Sequence, residues 1–142
     1  MTLQSNSIQC PLVGAHFRPP AKQVLASLPA GCQLKLRAEP DNPYDPKAIG
    51  VWVSPDQIPL SQHEALGAAL DGTGVGLGDV LAEPEVHLGY LPDSDGKVCQ
   101  RDGVLGNRQV AGQAQALGRG VEELEATLTF GLDGKPWVLV RF

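Results

Sequence analysis

The sequence has little charge, few aromatic side chains and no long hydrophobic run. Only 19% of its 142 residues are charged, and only 5% are aromatic. The apolar runs fall far below the ~18 residues of a membrane-spanning helix, so we expect no membrane segment. The three cysteines have no close pair, which favours a reducing compartment over a disulfide framework. The N-terminal residues lack the basic and then apolar pattern of a signal peptide, so a cytoplasmic location is predicted.

Positive charge is missing from one whole segment. Residues 54–85 hold six acidic residues and no lysine or arginine, whereas the net charge of the chain is −5. The rest of the chain is therefore close to neutral. This balance excludes a broad basic surface that coats nucleic acid, but it leaves open a small site that grips one strand.

Glycine and proline are abundant, with 17 and 12 residues, which is typical of a turn-rich chain rather than a coiled coil or a helical repeat. The length fits a single domain over residues 1–142. Hydrophobic alternation predicts strands at 8–17, 33–39, 49–53, 86–91, 122–130 and 137–142. Neighbouring strands mostly lack helical crossovers. We therefore predict a mainly β chain with short helices (α+β): a small, partly open OB-like or SH3-like barrel of five or six strands with two or three helices.

Three segments between these strands predict helices. Residues 21–28 place apolar side chains on one side, and Pro29 follows them. Ser61 and Glu64 fit a capping box that starts a second helix, and Asn107 fits the cap of a third. The glycine-rich run at 72–78 lacks the Lys-Ser/Thr of a phosphate loop and is predicted to be a flexible loop.

The proline-rich turn at 39–46, EPDNPYDP, is the most unusual stretch of the chain. Its prolines fix their own φ angles and push the preceding residues toward extended conformations. The turn should therefore hold Asn42, Tyr44 and Asp45 in nearly fixed directions. Two interpretations stay open: a rigid connection in which Asp and Asn bond their own backbone, or a preorganised ligand pocket.

The run at 33–49, QLKLRAEPDNPYDPKAI, resembles the signature of the HIRAN domain family. Two weaker blocks agree in order, LVGAHF at 12–17 and LGYLP at 88–92. The resemblance implies an OB-like β-barrel and binding of single-stranded DNA at its 3′-hydroxyl end. Residues 54–85 have no counterpart in these blocks, so they are expected to be an acidic, glycine-rich insertion between two family strands.

The resemblance also implies which residues bind DNA. Tyr44 and Asp45 match the end-binding pair of the family, and Asn42 lies in the same loop. A carboxylate repels phosphate but can accept a hydrogen bond from a hydroxyl. We therefore expect Asp45 to bind a free 3′-OH and to reject a 3′-phosphate.

Further positions follow from the weaker blocks. Phe17 falls where an aromatic stacks on the terminal base, and His16 falls where the family can have an arginine. Tyr90 falls where a histidine can face the DNA, and Phe130 is one more candidate aromatic. Stacking of a base on an aromatic contributes ~1–3 kcal/mol and tolerates any base.

Basic residues near this turn have two interpretations. Lys35, Arg37 and Lys47 could line the path of the DNA backbone, or they could be solvated side chains on the polar face of a strand. The histidines and cysteines show no zinc-ligand spacing, so we predict neither a metal nor another cofactor.

These features together predict a non-catalytic module that binds the 3′ end of single-stranded DNA. Such a module would serve as an adaptor in DNA repair or genome defence and would act with a helicase, ATPase or nuclease partner, because no motor fits in this chain. Two alternatives remain: a protein-interaction module that kept the barrel and lost DNA binding, and a DNA-end-processing enzyme.

Overall fold

A computed structural model describes residues 7–14, 19–43, 46–92 and 106–142. Its strands are β1 (Ser7–Pro11), β2 (Gln33–Ala38), β3 (Ile49–Val53), β4 (Val86–Tyr90), β5 (Glu125–Phe130) and β6 (Pro136–Arg141). Its α-helices are α1 (Pro19–Ser27), α2 (His63–Ala69), α3 (Leu77–Ala82) and α4 (Asn107–Ala116). Short 3-10 turns lie at Pro55–Gln57, Leu60–Gln62 and Val121–Glu123.

The strands form one antiparallel sheet in the order β1-β6-β5-β2-β3-β4. The two edges of this sheet meet at one corner, where Val13 follows β1 and bridges to Tyr90 of β4. The amide of Val13 donates to Tyr90 O at 2.9 Å, and the amide of Tyr90 donates to Val13 O at 2.8 Å. The fold is therefore a small α+β, OB-like, partly open barrel, as predicted.

Alternate residues of the strands point into the barrel and form its core. Leu36, Val51, Leu88, Leu128 and Val140 are fully buried there. Full burial of a side chain of this size contributes about 1.5–3 kcal/mol, so these inward faces fix which residues of each strand point outward. The helix α1 packs against β4 and α2, where its apolar side covers the core.

Two predicted helix starts are wrong. Ser61 lies in a 3-10 turn, and α2 begins at His63 with no side-chain hydrogen bond at its cap. Gly106, not Asn107, caps α4. The side chain of Asn107 instead donates through Nδ2 to the carbonyl oxygen of Lys47 at 3.0 Å, so a tertiary contact takes the group that a local cap would use.

Two further segments differ from their predictions. The run at 72–78 is not irregular throughout, because α3 begins at Leu77. The amide of Gly76, which caps this helix, donates to Oδ2 of Asp79 at 3.2 Å. This helix raises the count to four in the described part of the chain. The strand predicted at 8–17 ends at Pro11, and the φ of +85° at Gly14 turns the chain after the bridge at Val13.

Residues 54–85 connect β3 and β4, which are direct neighbours in the sheet. Two antiparallel neighbours can be joined by a two-residue hairpin, whereas this connection holds α2 and α3. That it is an insertion relative to a family stays a prediction. Among the described residues, no helix combines the length and the apolar character needed to cross a membrane.

Candidate functional site

Several predicted site residues lie outside the described residues, namely His16, Phe17, Tyr44 and Asp45. The described residues that precede the two segments lie near Tyr90 or share a groove with it. Gly14 follows the bridge between Val13 and Tyr90, and a Cβ on Gly14 would lie 3.6 Å from Cδ2 of Tyr90. Pro43, which precedes Tyr44, lines a groove together with Tyr90. The chain therefore enters both undescribed segments from positions near the Tyr90 side chain.

The carboxylate of Glu39 is held between β4 and the proline-rich turn. The hydroxyl of Tyr90 donates to its Oε1 at 3.2 Å, and Nδ2 of Asn42 donates to the same oxygen at 3.3 Å. The amide of Asn42 also donates to the carbonyl oxygen of Glu39 at 3.0 Å. These contacts fix the start of the turn and the direction of the carboxylate, so Asn42 and Tyr90 belong to one hydrogen-bonded group.

Gly50 provides the space in which this carboxylate lies. In the sheet register, Gly50 of β3 is flanked by Arg37 of β2 and Tyr90 of β4. A Cβ on Gly50 would lie 2.5 Å from Glu39 Oε2 and 3.0 Å from Trp52 Nε1. Because real Cβ atoms do not approach other atoms so closely, a larger residue at position 50 would displace the Glu39 carboxylate from the strand surface.

An aromatic row runs beside this carboxylate on the outer face of β3 and β4. The ring of His87 stacks on Trp52 with centroids 4.5 Å apart and meets Tyr90 edge-on at 4.8 Å. The Nε2 atom of His87 lies 3.9 Å from Oε2 of Glu39. His87 and Tyr90 share one face although they are three residues apart, because the register with β3 shifts between Val51 and Trp52.

Lys35 and Arg37 lie on the outer face of β2, as their alternation predicts, and both are engaged by Glu85. The Nζ atom of Lys35 lies 3.1 Å from Oε2 of Glu85, and Arg37 pairs with the other oxygen. The guanidinium carbon of Arg37 also lies 5.1 Å from the centre of the Trp52 ring. The side chain of Glu85 is only 9% exposed, so a phosphate that bound Lys35 and Arg37 would compete with a well-placed carboxylate.

Two open grooves are lined by residues of the proline-rich turn. The first, called here the Tyr90 groove, has a volume of about 520 Å³ and is lined by residues 38–43 and Tyr90. The second, called the Lys47 groove, has a volume of about 400 Å³ and includes Lys47 and Arg108. Ala38 and Pro40 line both grooves, so the two are neighbours.

Phe130 does not lie with Asn42 and Tyr90, the predicted residues that the structure describes beside the proline-rich turn. Gln33 pairs with Thr127, so Phe130 lies beyond the first residue of β2, whereas Glu39 lies beyond its last. The nine register positions between them span about 30 Å along the strands. The antiparallel pairing of β5 with β2 therefore places Phe130 at the opposite end of the sheet, beside Trp137.

Sequence patterns missed four residues that shape this surface: Glu39, Trp52, Glu85 and His87. The alternation of β3 indicates that Trp52 faces outward. The contacts of these four residues were not predictable in this way, because their neighbours come from distant segments of the sequence. Within the described ranges, no group of three or more His, Cys, Asp and Glu side chains is arranged to hold a metal ion.

Comparisons of the chain with protein-family models, with curated proteins and with solved structures find no match.

Proposed function

We propose that the protein binds single-stranded DNA at a free 3′-hydroxyl end, on the surface formed by Tyr90 and the turn at 39–46. The observation that carries this proposal is the convergence of described residues on Tyr90. Val13 and Gly14 lead into His16 and Phe17, while Asn42 and Pro43 lead into Tyr44 and Asp45. The resemblance to HIRAN domains names these same segments, although they are far apart in the sequence. OB-like barrels present an exposed sheet face to nucleic acid in this way.

In this proposal the terminal nucleotide is bound by stacking and by a hydroxyl contact. Phe17 and Tyr44 stack on bases, and Asp45 accepts the hydrogen bond of the 3′-OH. The three prolines of the turn fix their own φ angles, which lowers the entropy lost when the strand end is held. The hydrogen bonds from Asn42 and Tyr90 to Glu39 support the same preorganisation.

The groups proposed for this surface act by stacking and by hydrogen bonding. We therefore propose a non-catalytic module that brings a partner to the strand end. The partner would be a helicase, an ATPase or a nuclease, and the setting would be DNA repair or genome defence.

Fluorescence anisotropy with 5′-labelled single strands tests the binding proposal. Two strands of one sequence are compared, one ending in a 3′-OH and the other in a 3′-phosphate. We expect the parent protein to prefer the 3′-OH strand by about tenfold or more, since one charge-assisted hydrogen bond contributes ~1.5–3 kcal/mol. The variant Tyr44→Ala/Asp45→Ala should lose this preference, whereas Asp133→Asn, in the exposed β5–β6 turn, should keep it.

Three outcomes contradict the proposal, each in its own way. Equal binding of both strands by the parent removes the hydroxyl-specific contact. Absence of binding even at low salt favours the protein-interaction module, because contacts with phosphate should be strongest there. Shortening of the strand that requires an added divalent metal favours an end-processing enzyme.

A further inference from the structure

Among the described residues, charge is segregated between the two grooves that share Pro40. The Tyr90 groove is lined by two carboxylates, Glu39 and Asp41, and none of its described lining residues is basic. The Lys47 groove contains the exposed cations Lys47 and Arg108. Since the two grooves share Ala38 and Pro40, a bound strand that crosses the turn would pass from one charge environment into the other.

The orientation of Glu39 makes the Tyr90 groove unfavourable for a phosphate. Both hydrogen bonds to its Oε1 come from neutral donors, the Tyr90 hydroxyl and the Asn42 amide. These two donors hold the carboxylate in place without adding positive charge at Oε1, while Nε2 of His87 lies 3.9 Å from Oε2. The side chain of Glu39 is 26% exposed, so its charge acts on whatever enters the groove. A terminal phosphate carries about −1.5 to −2 charges near neutral pH, whereas a terminal hydroxyl is uncharged.

The Lys47 groove has the opposite character. Asn107, the first residue of α4, donates through Nδ2 to the carbonyl oxygen of Lys47 at 3.0 Å. This bond attaches the start of α4 to the end of the proline-rich turn, and it places Arg108 and Lys47 on one groove. The partial positive charge of a helix N-terminus adds to these two cations. An internucleotide phosphate is therefore favoured on this side of Pro40.

We propose that the two grooves are the two halves of one site for a strand end. The hydroxyl-bearing terminal sugar enters the Tyr90 groove, where Glu39 and Asp41 exclude a terminal phosphate. The chain then crosses Pro40, and its first internucleotide phosphate meets Lys47 and Arg108. This inference rests on the proposed function, and it assigns selectivity to Glu39 and backbone contact to Arg108, neither of which the sequence pattern indicates.

The selectivity half is tested with Glu39→Gln, which keeps an acceptor for Tyr90 and Asn42 but removes the charge. We expect the variant to bind the 3′-phosphate strand roughly fivefold more tightly than the parent does, with binding of the 3′-OH strand changed by less than about twofold. Asp41→Asn should shift selectivity in the same direction. The matched control is Glu64→Gln, an exposed carboxylate on α2, which should change neither strand.

The phosphate half is tested with Arg108→Gln. This variant should weaken both strands equally, and the slope of log K against log salt should become shallower by about 0.7, the value for one phosphate contact on a single strand. The matched control is Lys135→Gln, an exposed cation in the β5–β6 turn, which should leave both the affinity and the slope unchanged.

The results separate this inference from the proposed function. If the parent prefers the 3′-OH strand but Glu39→Gln, Asp41→Asn and Arg108→Gln all behave like the parent, the two-groove site is overturned and the proposed function stands. If the parent binds neither strand at low salt, the proposed function fails and the inference falls with it. Circular dichroism establishes whether each variant is folded. If Glu39→Gln is not folded, Asp41→Asn alone decides whether the carboxylates of the Tyr90 groove exclude a terminal phosphate.

Discussion

Replacing Gly50 with alanine should uncouple Glu39 from Tyr90. The new Cβ would lie 2.5 Å from Oε2 of Glu39, 3.0 Å from Nε1 of Trp52 and 3.3 Å from Nε2 of His87. The carboxylate is the end of a flexible side chain, whereas Trp52 and His87 are stacked on each other. The clash should therefore be relieved by movement of Glu39 away from the strand, with loss of its hydrogen bonds to Tyr90 and Asn42.

The magnitude follows from two opposing contributions. Each lost hydrogen bond lowers the free energy of unfolding by about 1 kcal/mol, so the two together lower it by about 2 kcal/mol. Replacing glycine by alanine raises it by about 0.4–1 kcal/mol, because the unfolded chain has fewer conformations and Gly50 does not have a positive φ. The net loss is about 1–1.6 kcal/mol, which corresponds to a decrease of roughly 3–5 °C in Tm for a domain of this size.

A double-mutant cycle with Glu39→Ala isolates this effect. In the background that lacks the Glu39 carboxylate, Gly50→Ala should be neutral or stabilising, because the clashing atom is gone. Urea unfolding of the four proteins gives the coupling free energy, which we expect to be about 1–2 kcal/mol. The reasoning is refuted if Gly50→Ala changes stability equally in both backgrounds, since Glu39 would then not lie over Gly50.

Three further predictions follow from other contacts. Phe130→Ala should leave 3′-end binding in the anisotropy assay within about twofold of the parent, because the strand register separates Phe130 from Glu39 by about 30 Å. A larger loss of affinity would contradict that separation. Glu85→Gln should lower the free energy of unfolding by about 1 kcal/mol, a value reduced for solvent screening because Lys35 and Arg37 are 66% and 48% exposed. The same variant should steepen the salt dependence of DNA binding, because it releases both cations from Glu85. An unchanged slope would show that these two cations do not contact the strand. Burial raises the pKa of the Cys32 thiol to about 11 from an ordinary 9.0. The contribution of the buried thiol to stability is therefore present below pH 9 and lost as the pH rises toward 11. Cys32→Ala should reduce this alkaline loss of stability, as measured by urea unfolding at increasing pH.

The elements that local patterns encode were predictable. Leu34 and Leu36 of β2 are buried while Lys35 and Arg37 face outward, as strict alternation requires. The Asp-Gly pair at 133–134 gives the β5–β6 hairpin, and its Gly134 has a φ of +80°. Six strands follow from such patterns, because each depends only on residues next to it in the sequence.

The contacts that build the site were not predictable from the same patterns. His87 and Tyr90 share a face only because the register shifts in β4, and no simple period of two indicates that shift. The bond from Tyr90 to Glu39 joins residues 51 positions apart. The pairing of Glu85 with Lys35 and Arg37 likewise requires the sheet order, so it follows from the tertiary fold and not from charge patterning.

The Gly50→Ala variant also distinguishes the roles of Glu39 and Asp45 at the strand end. If a fixed Glu39 carboxylate excludes a terminal phosphate, displacement of this carboxylate by the new Cβ should reduce the preference for the 3′-OH strand, even though the carboxylates of Glu39 and Asp45 both remain. Glu39→Gln removes the charge and keeps the position, whereas Gly50→Ala keeps the charge and changes the position. Loss of selectivity in both variants would therefore show that exclusion depends on where the charge lies. Unchanged selectivity in both, with a measured coupling between Gly50 and Glu39, would assign end recognition to Asp45.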